Sequence, residues 1–242
     1  MTPILLIHGG WIGPWCWDQF AGSLADRGHD VRAMRLRGHD RQPGRIWHRI
    51  EHYLDDVRHA AAGFGEPPLL VGHSMGGLLA QKHLERYPAR GAVLLASIPT
   101  GGTAGVVARL SARHPLAMLQ ANLLLSLRPL VDTTALVREL FFTTHTPQHL
   151  VDTCHARLQD ESYLAFIDML AFARPAPHRV RAPVLVIGGE MDGIISVAEV
   201  QRTARAYGVE PQIVPGMGHS MMLEEGWQDV ADRVDAWVRQ IG

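Results

Sequence analysis

The sequence predicts one α/β domain, a mostly parallel sheet of six strands with helices on both faces. Three observations predict this fold. Short apolar runs alternate with helix-length segments, most of the runs end at glycine, histidine or proline, and one long helical stretch interrupts the alternation. Strands covered on both faces are near-continuous runs of Val, Ile and Leu. A chain of 242 residues is long enough for one well-buried core of this kind.

The predicted strands are of two kinds. Four are strongly apolar and suit the centre of the sheet, whereas two are weaker and suit positions nearer an edge. The four apolar strands are Ile4–Ile7, Leu69–Val71, Ala92–Ala96 and Val184–Ile187. The two weaker strands are Asp30–Arg35 and Gln212–Val214.

Helix-length segments lie between these strands. The last of them has the clearest helical spacing, with Val230, Val234 and Val238 apolar and charged residues between them. The predicted helices are Trp17–Arg27, Ile50–Phe64, Gly76–Tyr87, Val197–Tyr207 and Trp227–Ile241. Strands that alternate with helices indicate a parallel sheet with crossover helices.

The alternation stops between about residues 100 and 178, where prolines separate several helix-like segments. We interpret this stretch as a helical cap inserted between two strands of a single domain that spans residues 1–242, and not as a separate domain. Its helix-like segments are Val106–Leu127, Thr134–Phe142, Gln148–Leu158 and Glu161–Phe172.

Composition argues against several functional classes. The formal net charge is −1 and the arginines are scattered, so we expect no nucleic-acid partner. No apolar run approaches the ~20 residues needed to span a bilayer. Cys16 and Cys154 form no metal-ligand cluster and are expected to be reduced thiols, which fits a cytoplasmic protein. No cofactor or metal is predicted, and a homodimer is left open.

The strongest functional feature is the strand, turn and helix around Ser74, with Gly72 and Gly76 two residues to either side of it. A tight turn from strand to helix leaves no room for side chains at those two positions. The serine then projects above the sheet at a helix N-terminus, where the helix dipole and free amides favour an anion. This pattern predicts that Ser74 is a catalytic nucleophile.

A serine hydroxyl needs a base to take its proton. His219 is the candidate, because it follows the last strand in a glycine-containing loop. The third residue should orient the imidazole and stabilise its charged form. Asp192, in the turn after the strand 184–187, is preferred, and Glu190 is the alternative. The order Ser74, Asp192, His219 is the one expected for a nucleophile on such a turn.

Attack on an ester creates an oxyanion that needs preorganised donors. The backbone N–H of Met75, at the start of the helix after Ser74, is one predicted donor. The loop after the first strand supplies the second, for which Gly10 N–H is preferred and Trp11 N–H is next. His8 and His73 also precede glycine-rich turns, and we expect them to form structural hydrogen bonds.

Over essentially its whole length the sequence resembles the α/β-hydrolase superfamily. Several motifs occur in that family's order: Ile-Leu-Leu-Ile-His-Gly-Gly at 4–10, Arg37-Gly38-His39, Gly-His-Ser-Met-Gly-Gly at 72–77, Glu-Arg-Tyr-Pro at 85–88, the Asp192 turn and Gly218-His219. Residues 8–17 are similar to the H-G-x-x-x-G-x-W-x-W signature of the plant methylesterase and hydroxynitrile-lyase branch. The resemblance implies the α/β-hydrolase fold and a branch that includes esterases of small carboxylic esters. It also implies that Gly10 completes the oxyanion hole.

Two differences from other members of the superfamily argue against some of its activities. The lyases of that branch have a lysine after the catalytic histidine, whereas Ser220 occupies this position, which argues against lyase activity. Dehalogenases and epoxide hydrolases of the superfamily use aspartate as the nucleophile, whereas this sequence has Ser74. We therefore predict a serine esterase that cleaves small to medium, largely apolar carboxylic esters through an acyl-enzyme intermediate.

The cap is expected to roof the substrate pocket, with Trp11, Leu123, Phe142 and Met169 as predicted wall residues. Most other apolar residues of the cap are expected to fill its core, because helices bury an apolar face whatever their function. The same triad would serve a thioesterase, lactonase, C–C-bond hydrolase, acyltransferase or perhydrolase. A small-ligand receptor that uses the pocket without turnover is a further alternative.

Overall fold

The computed structural model describes residues 1–39 and 47–241. In this part of the chain six strands form one sheet, and every neighbouring pair is parallel. The strands are β1 (Pro3–Ile7), β2 (Asp30–Ala33), β3 (Leu69–His73), β4 (Gly91–Leu95), β5 (Val184–Gly189) and β6 (Pro211–Val214). All six predicted strands are confirmed, with their ends shifted by at most two residues.

The strand order is β2-β1-β3-β4-β5-β6. Every residue of β1, β3, β4 and β5 is buried, and these are the four strands whose sequences are most apolar. The weaker strands β2 and β6 lie at the two edges and are partly exposed. Their lower apolar content reflects this position, since an edge strand has only one neighbouring strand.

The α-helices of the described residues are α1 (Asp18–Asp26), α2 (Ile50–Ala62), α3 (Met75–Leu84), α4 (Ala104–Arg113), α5 (Pro115–Leu124), α6 (Thr134–Phe141), α7 (Gln148–Arg157), α8 (Tyr163–Ile167), α9 (Val197–Tyr207) and α10 (Trp227–Ile241). Around the sheet, α1 packs against α10, α2 against α3, and α9 against β5. The five helices predicted outside the cap are all present.

Helix α10 illustrates why these segments fold as helices. Val230, Val234 and Val238 recur every four residues and are at most 1% exposed, so they form one buried stripe. On the outer surface the Arg233 guanidinium lies 2.9 Å from the Asp229 carboxylate one turn earlier. The period of the sequence therefore matches the packing of the helix.

The chain between β4 and β5 is largely helical and contains α4 to α8. The single helix predicted over residues 106–127 is two helices, because Pro115 lacks the N–H that would continue the first one. His114, before this proline, has a non-helical φ of −130° and ψ of 60°. The helix predicted from Glu161 begins at Tyr163, and its last turn, 168–172, is π-helical.

Two further features concern membrane-spanning helices and the state of the cysteines. No helix within residues 1–39 and 47–241 has the length and apolar character needed to cross a membrane. Cys16 and Cys154 are free and buried. Burial raises the pKa of the Cys16 thiol, so the protonated form predominates at neutral pH.

Candidate active site

Ser74 lies between β3 and α3 with φ 53° and ψ −116°, a conformation that non-glycine residues seldom adopt. The surrounding backbone is tightly packed. A Cβ added to Gly72 would collide with the backbone of Gly76, and a Cβ added to Gly76 would collide with the carbonyl of Ile7. Glycine is therefore required at both positions by the close approach of the main chain.

Main-chain hydrogen bonds hold the Ser74 turn against the next strand. The Ser74 N–H donates to Leu95 O at 3.0 Å, and Ser74 O accepts from Ile98 N at 3.1 Å. Ser74 is 8% exposed, and it lines a cavity at the carboxyl edge of the sheet. The turn thus fixes the serine backbone while its side chain borders open space.

Asp192 and His219 come from the loops after β5 and β6. The His219 Nδ1 lies 2.9 Å from Asp192 Oδ2, and both side chains are almost fully buried. The same carboxylate accepts hydrogen bonds from Ile194 N and Ile195 N, each at 2.8 Å. Because a carboxylate only accepts, the imidazole carries a proton on Nδ1. In the neutral ring Nε2 then has a free lone pair.

The alternative acid, Glu190, points elsewhere. Its Oε2 accepts a hydrogen bond from Gly216 N at 2.9 Å, and the residue is exposed. Of the two candidate acids, Asp192 contacts the His219 ring and Glu190 braces the loop that leads to it.

His73 links the His219 loop to the Ser74 turn. Its Nε2 donates to the His219 carbonyl at 2.9 Å, and the two rings lie 4.7 Å apart between centroids. Burial and the neighbouring His219 lower the pKa of His73 well below its usual range, so the ring is neutral. Among the described residues no hydrogen bond joins the Ser74 hydroxyl to the His219 ring. In enzymes such bonds are often long before substrate binds.

The loop after β1 lies directly against Ser74. A Cβ added to Gly9 would be 3.0 Å from Ser74 Cβ, so a side chain at that position would crowd Ser74. His8 shapes the loop by accepting from Leu36 N at 3.2 Å and donating to Gly9 O at 2.9 Å. Burial and then the nearby His39 lower the pKa of His8 to about 3, which keeps it neutral. Both His8 and His73 therefore form the expected structural hydrogen bonds.

The cavity beside Ser74 encloses about 630 Å³ of space not filled by atoms, part of it open to solvent. Gly10 and Met75, the predicted oxyanion donors, line it together with Trp11 and Met169. The rest of the wall is mainly apolar: Ile98, Thr103, Val106, Val107, Leu110, Leu127, Leu130, Leu140, Glu161, Phe166 and Ile194.

Two predicted wall residues need correction. Leu123 is 75% exposed and does not line this cavity. Helix α5 is apolar on nearly all sides, so its sequence does not indicate which face is buried. Phe142 is buried, but it lies behind the His219 loop, where its backbone would contact a side chain at Gly218. The neighbouring Phe141 stacks on the His219 ring with centroids 5.9 Å apart.

A buried carboxylate in the same cavity wall was missed by sequence reasoning. Glu161 Oε1 accepts from the Tyr53 hydroxyl at 2.9 Å and from Ser162 N at 2.6 Å, and Oε2 lies 2.9 Å from His39 Nε2. Burial alone would raise the pKa of Glu161. The charge on His39 and hydrogen bonds from His39, Ser162 and Tyr53 outweigh burial and hold that pKa below its usual range.

No local signal could have identified this network. Glu161 is 108 residues from Tyr53 and 122 residues from His39. The Arg37-Gly38-His39 motif stood out in the sequence, but nothing in it indicates which acidic residue pairs with His39.

The helical segment between β4 and β5 also contacts the loops that carry Asp192 and His219. Ser220 N donates to Phe141 O at 2.8 Å, and Gly193 packs against the carbonyl of Glu139. Glu224 packs behind Gly218 and accepts from the Thr146 hydroxyl at 3.2 Å, and burial raises its pKa. The segment after α6 therefore supports the His219 loop from behind.

Comparisons with known proteins agree with this architecture. Residues 4–233 match the model of the alpha/beta hydrolase family. The chain is 35% identical over 89 residues to "Esterase PIR7B" of Oryza sativa subsp. japonica, an overlap of 35% of this chain and 33% of the relative. It is 31% identical over 90 residues to "Polyneuridine aldehyde esterase" of Rauvolfia serpentina, which covers 36% of this chain and 34% of the relative. The chain thus aligns with about a third of the length of these curated relatives.

Among solved structures, a thermophilic esterase from Thermogutta terrifontis superposes with a TM-score of 0.72 at 20% sequence identity. The superposition covers 100% of this chain and 90% of that chain. At this low sequence identity, the similarity shows only that the two proteins share a fold.

Proposed function

Because the chain belongs to the alpha/beta hydrolase family and has its fold, we propose that it is a serine hydrolase that cleaves carboxylic esters. The observation that carries the proposal is the buried hydrogen bond, 2.9 Å long, from His219 Nδ1 to Asp192, in loops tied by His73 to the Ser74 turn. The esterase names of the partial relatives support it. The proposed substrate is a small-molecule ester, with no nucleic-acid partner, and the buried free cysteines suit a cytoplasmic location.

In the proposed reaction, Ser74 Oγ attacks the ester carbonyl while His219 Nε2 takes the hydroxyl proton. Asp192 keeps the other ring proton on Nδ1 and stabilises the imidazolium that forms. The imidazolium then protonates the leaving alcohol, and an acyl group stays on Ser74. In the second half a water molecule, deprotonated by His219, attacks the acyl-enzyme and releases the acid.

The negative charge on the carbonyl oxygen requires donors that are already in place. We assign this role to the backbone N–H groups of Met75, at the first turn of α3, and of Gly10. Both residues line the cavity with Ser74. The helix dipole of α3 adds to the stabilisation at Met75. The residues of α4 to α8 act as a cap that encloses the acyl group of the substrate.

The test is a series of p-nitrophenyl esters from acetate to decanoate, with kcat/KM measured for wild type and Ser74→Ala. We expect short and medium chains to be cleaved and the variant to lose activity by about a thousandfold or more. Ser111→Ala, a serine of α4 outside the cavity wall, is the matched control and should behave as wild type.

A fluorophosphonate probe distinguishes the remaining outcomes. It should label wild type and Ser111→Ala but not Ser74→Ala. Equal ester cleavage by wild type and Ser74→Ala contradicts the proposal. A wild type that is labelled but cleaves none of the esters contradicts ester hydrolysis and favours a thioester, lactone or C–C-bond substrate.

A further inference from the structure

The cavity beside Ser74 has one carboxylate in an otherwise uncharged wall. Among the described residues that line it, Glu161 alone carries an acidic or basic side chain. The reaction proposed above does not use this residue. A buried charge is costly unless it is paired, and Glu161 is paired with His39.

Glu161 is close to the reacting centre. Its Oε2 would lie 3.2 Å from a Cβ added to Gly10, the residue assigned to the oxyanion hole. The preceding Gly9 packs on Ser74, where an added Cβ would be 3.0 Å from the serine Cβ. The carboxylate and Ser74 therefore pack against neighbouring residues of the same loop, and both residues line the cavity.

The two carboxylate oxygens differ in how fully they are bonded. Oε1 accepts from both Tyr53 and Ser162, which uses its two lone pairs. Within the described residues Oε2 accepts only from His39 Nε2. One lone pair of Oε2 therefore has no donor among the described residues.

The side chains that pair with the carboxylate do not line the cavity. His39 does not line the cavity with Ser74; it borders a separate groove together with Pro14 and Arg35. Tyr53 is fully buried and also lies outside the cavity wall. Glu161 thus borders the cavity, while the groups that pair with its carboxylate lie outside the cavity wall.

We propose that Glu161 determines specificity: it selects esters that carry a hydrogen-bond donor, a hydroxyl or an ammonium group, near the scissile carbonyl and excludes esters with a carboxylate there. The inference rests on the proposed ester hydrolysis and adds the substrate class. A donor bonded to an ionised carboxylate in a water-poor site is bound strongly. An anion at the same place meets a like charge in a low effective dielectric.

The experiment compares kcat/KM for five methyl esters, with acid release followed by pH-stat. The esters are methyl butyrate, methyl 2-hydroxybutyrate, methyl 3-hydroxybutyrate, dimethyl succinate and monomethyl succinate. We expect wild type to favour one hydroxybutyrate over butyrate by about tenfold or more, because an unpaired site oxygen penalises the ester that lacks the donor. Monomethyl succinate, an anion, should be cleaved at least about a hundredfold less well than the uncharged diester.

Three variants assign these ratios to Glu161. Glu161→Gln removes the charge and should shrink both ratios by about tenfold, while Glu161→Asp keeps the charge and should preserve the discrimination against the anion. Asp168→Asn is the matched control, since Asp168 is also a buried cap carboxylate but pairs with Arg49 and does not line the cavity. Its ratios should equal those of wild type. Each ratio comes from one preparation, so a reduced folded fraction cancels.

The outcomes separate this inference from the proposed function. If wild type cleaves methyl butyrate but shows neither preference, or if Glu161→Gln keeps both ratios, Glu161 does not set specificity and the esterase proposal stands. If wild type cleaves none of these esters and no p-nitrophenyl ester, the proposed function fails and this inference with it.

Discussion

The turn around Ser74 and the cap around the same cavity are held in place by different interactions. The turn is fixed by main chain against main chain: Ser74 N bonds to Leu95 O, and Gly76 packs on the Ile7 carbonyl. The cap has main-chain contacts as well, such as Ser220 N to Phe141 O, but it also depends on side-chain contacts, such as the Arg109 guanidinium of α4 on Glu199 of α9. Backbone packing has no spare room and tolerates no substitution, whereas side-chain contacts can be removed singly at a moderate cost.

The largest expected effect tests the backbone half of this contrast. Gly76→Ala places a methyl group into the Ile7 carbonyl and should cost more than about 4 kcal/mol in the free energy of unfolding, or prevent folding. Gly22→Ala is the matched control, because no atom lies within 4 Å of its added Cβ in the exposed face of α1. This change should stabilise the protein by up to about 1 kcal/mol. Urea unfolding followed by circular dichroism measures both, and similar stabilities would remove the contrast.

The next largest effect concerns the hydrogen bond between Asp192 and His219. Asp192→Asn should lower kcat by about 10³ to 10⁴-fold, because an amide no longer holds the proton on His219 Nδ1. Glu190→Gln, which keeps an oxygen able to accept from Gly216 N, should leave kcat near the wild-type value. Ester hydrolysis at saturating substrate distinguishes them. Loss of activity only in Glu190→Gln would make Glu190 the acid.

A moderate loss of stability is expected when a side-chain contact of the cap is removed. Tyr53→Phe leaves one hydrogen bond to the buried Glu161 unmade and should cost about 1–3 kcal/mol in the free energy of unfolding. Tyr163→Phe removes a bond from a more exposed hydroxyl to Asn122 and should cost less than about 1 kcal/mol. Urea midpoints of both variants give the comparison. If the Tyr53→Phe protein does not fold, the cap contacts tolerate substitution no better than the Ser74 turn. That result would contradict the contrast between the two regions.

The smallest expected effect is the pH dependence of the Arg109–Glu199 contact between α4 and α9. Burial raises the pKa of Glu199, but hydrogen bonds from Arg109 and Ser196 outweigh it, so the folded pKa is below the usual 4.5. Stability from this group is therefore complete above pH 4.5 and is lost as the pH falls through the folded pKa.

Glu199→Gln keeps the capping interaction at the start of α9, because glutamine also serves at this position. The variant should be less stable than wild type by about 1 kcal/mol or less at pH 7, and the difference should shrink below pH 4.5. Thermal unfolding at several pH values measures it. A difference that grows on acidification would contradict the assignment.

The parts of the molecule that the sequence predicted are those in which local pattern determines geometry. The central strands are buried apolar runs, and the Gly-x-Ser-x-Gly turn has its glycines at the positions where backbone atoms meet. The Asp192–His219 contact was anticipated from chain order and from where parallel strands end. These features need little information about distant residues.

The remaining features depend on contacts between distant residues. Nothing near Glu161 in the sequence indicates that Tyr53 and His39 will surround it. Leu123 was assigned to the pocket because α5 is rich in leucine, yet the side chain is 75% exposed. The break between α4 and α5 is different, because it depends on a single local residue. Pro115 lacks the N–H that a continuous helix needs.

The order of the strands also has a consequence for how the protein reaches its working state. The loops at residues 10, 74, 192 and 219 are far apart in the chain, and they meet only when β1, β3, β4, β5 and β6 have all paired in parallel. Sheets of this kind form from contacts of large sequence separation, which makes their assembly slow. During refolding, helical circular dichroism should therefore return before catalytic turnover does. A partly assembled sheet would retain secondary structure without chemical competence.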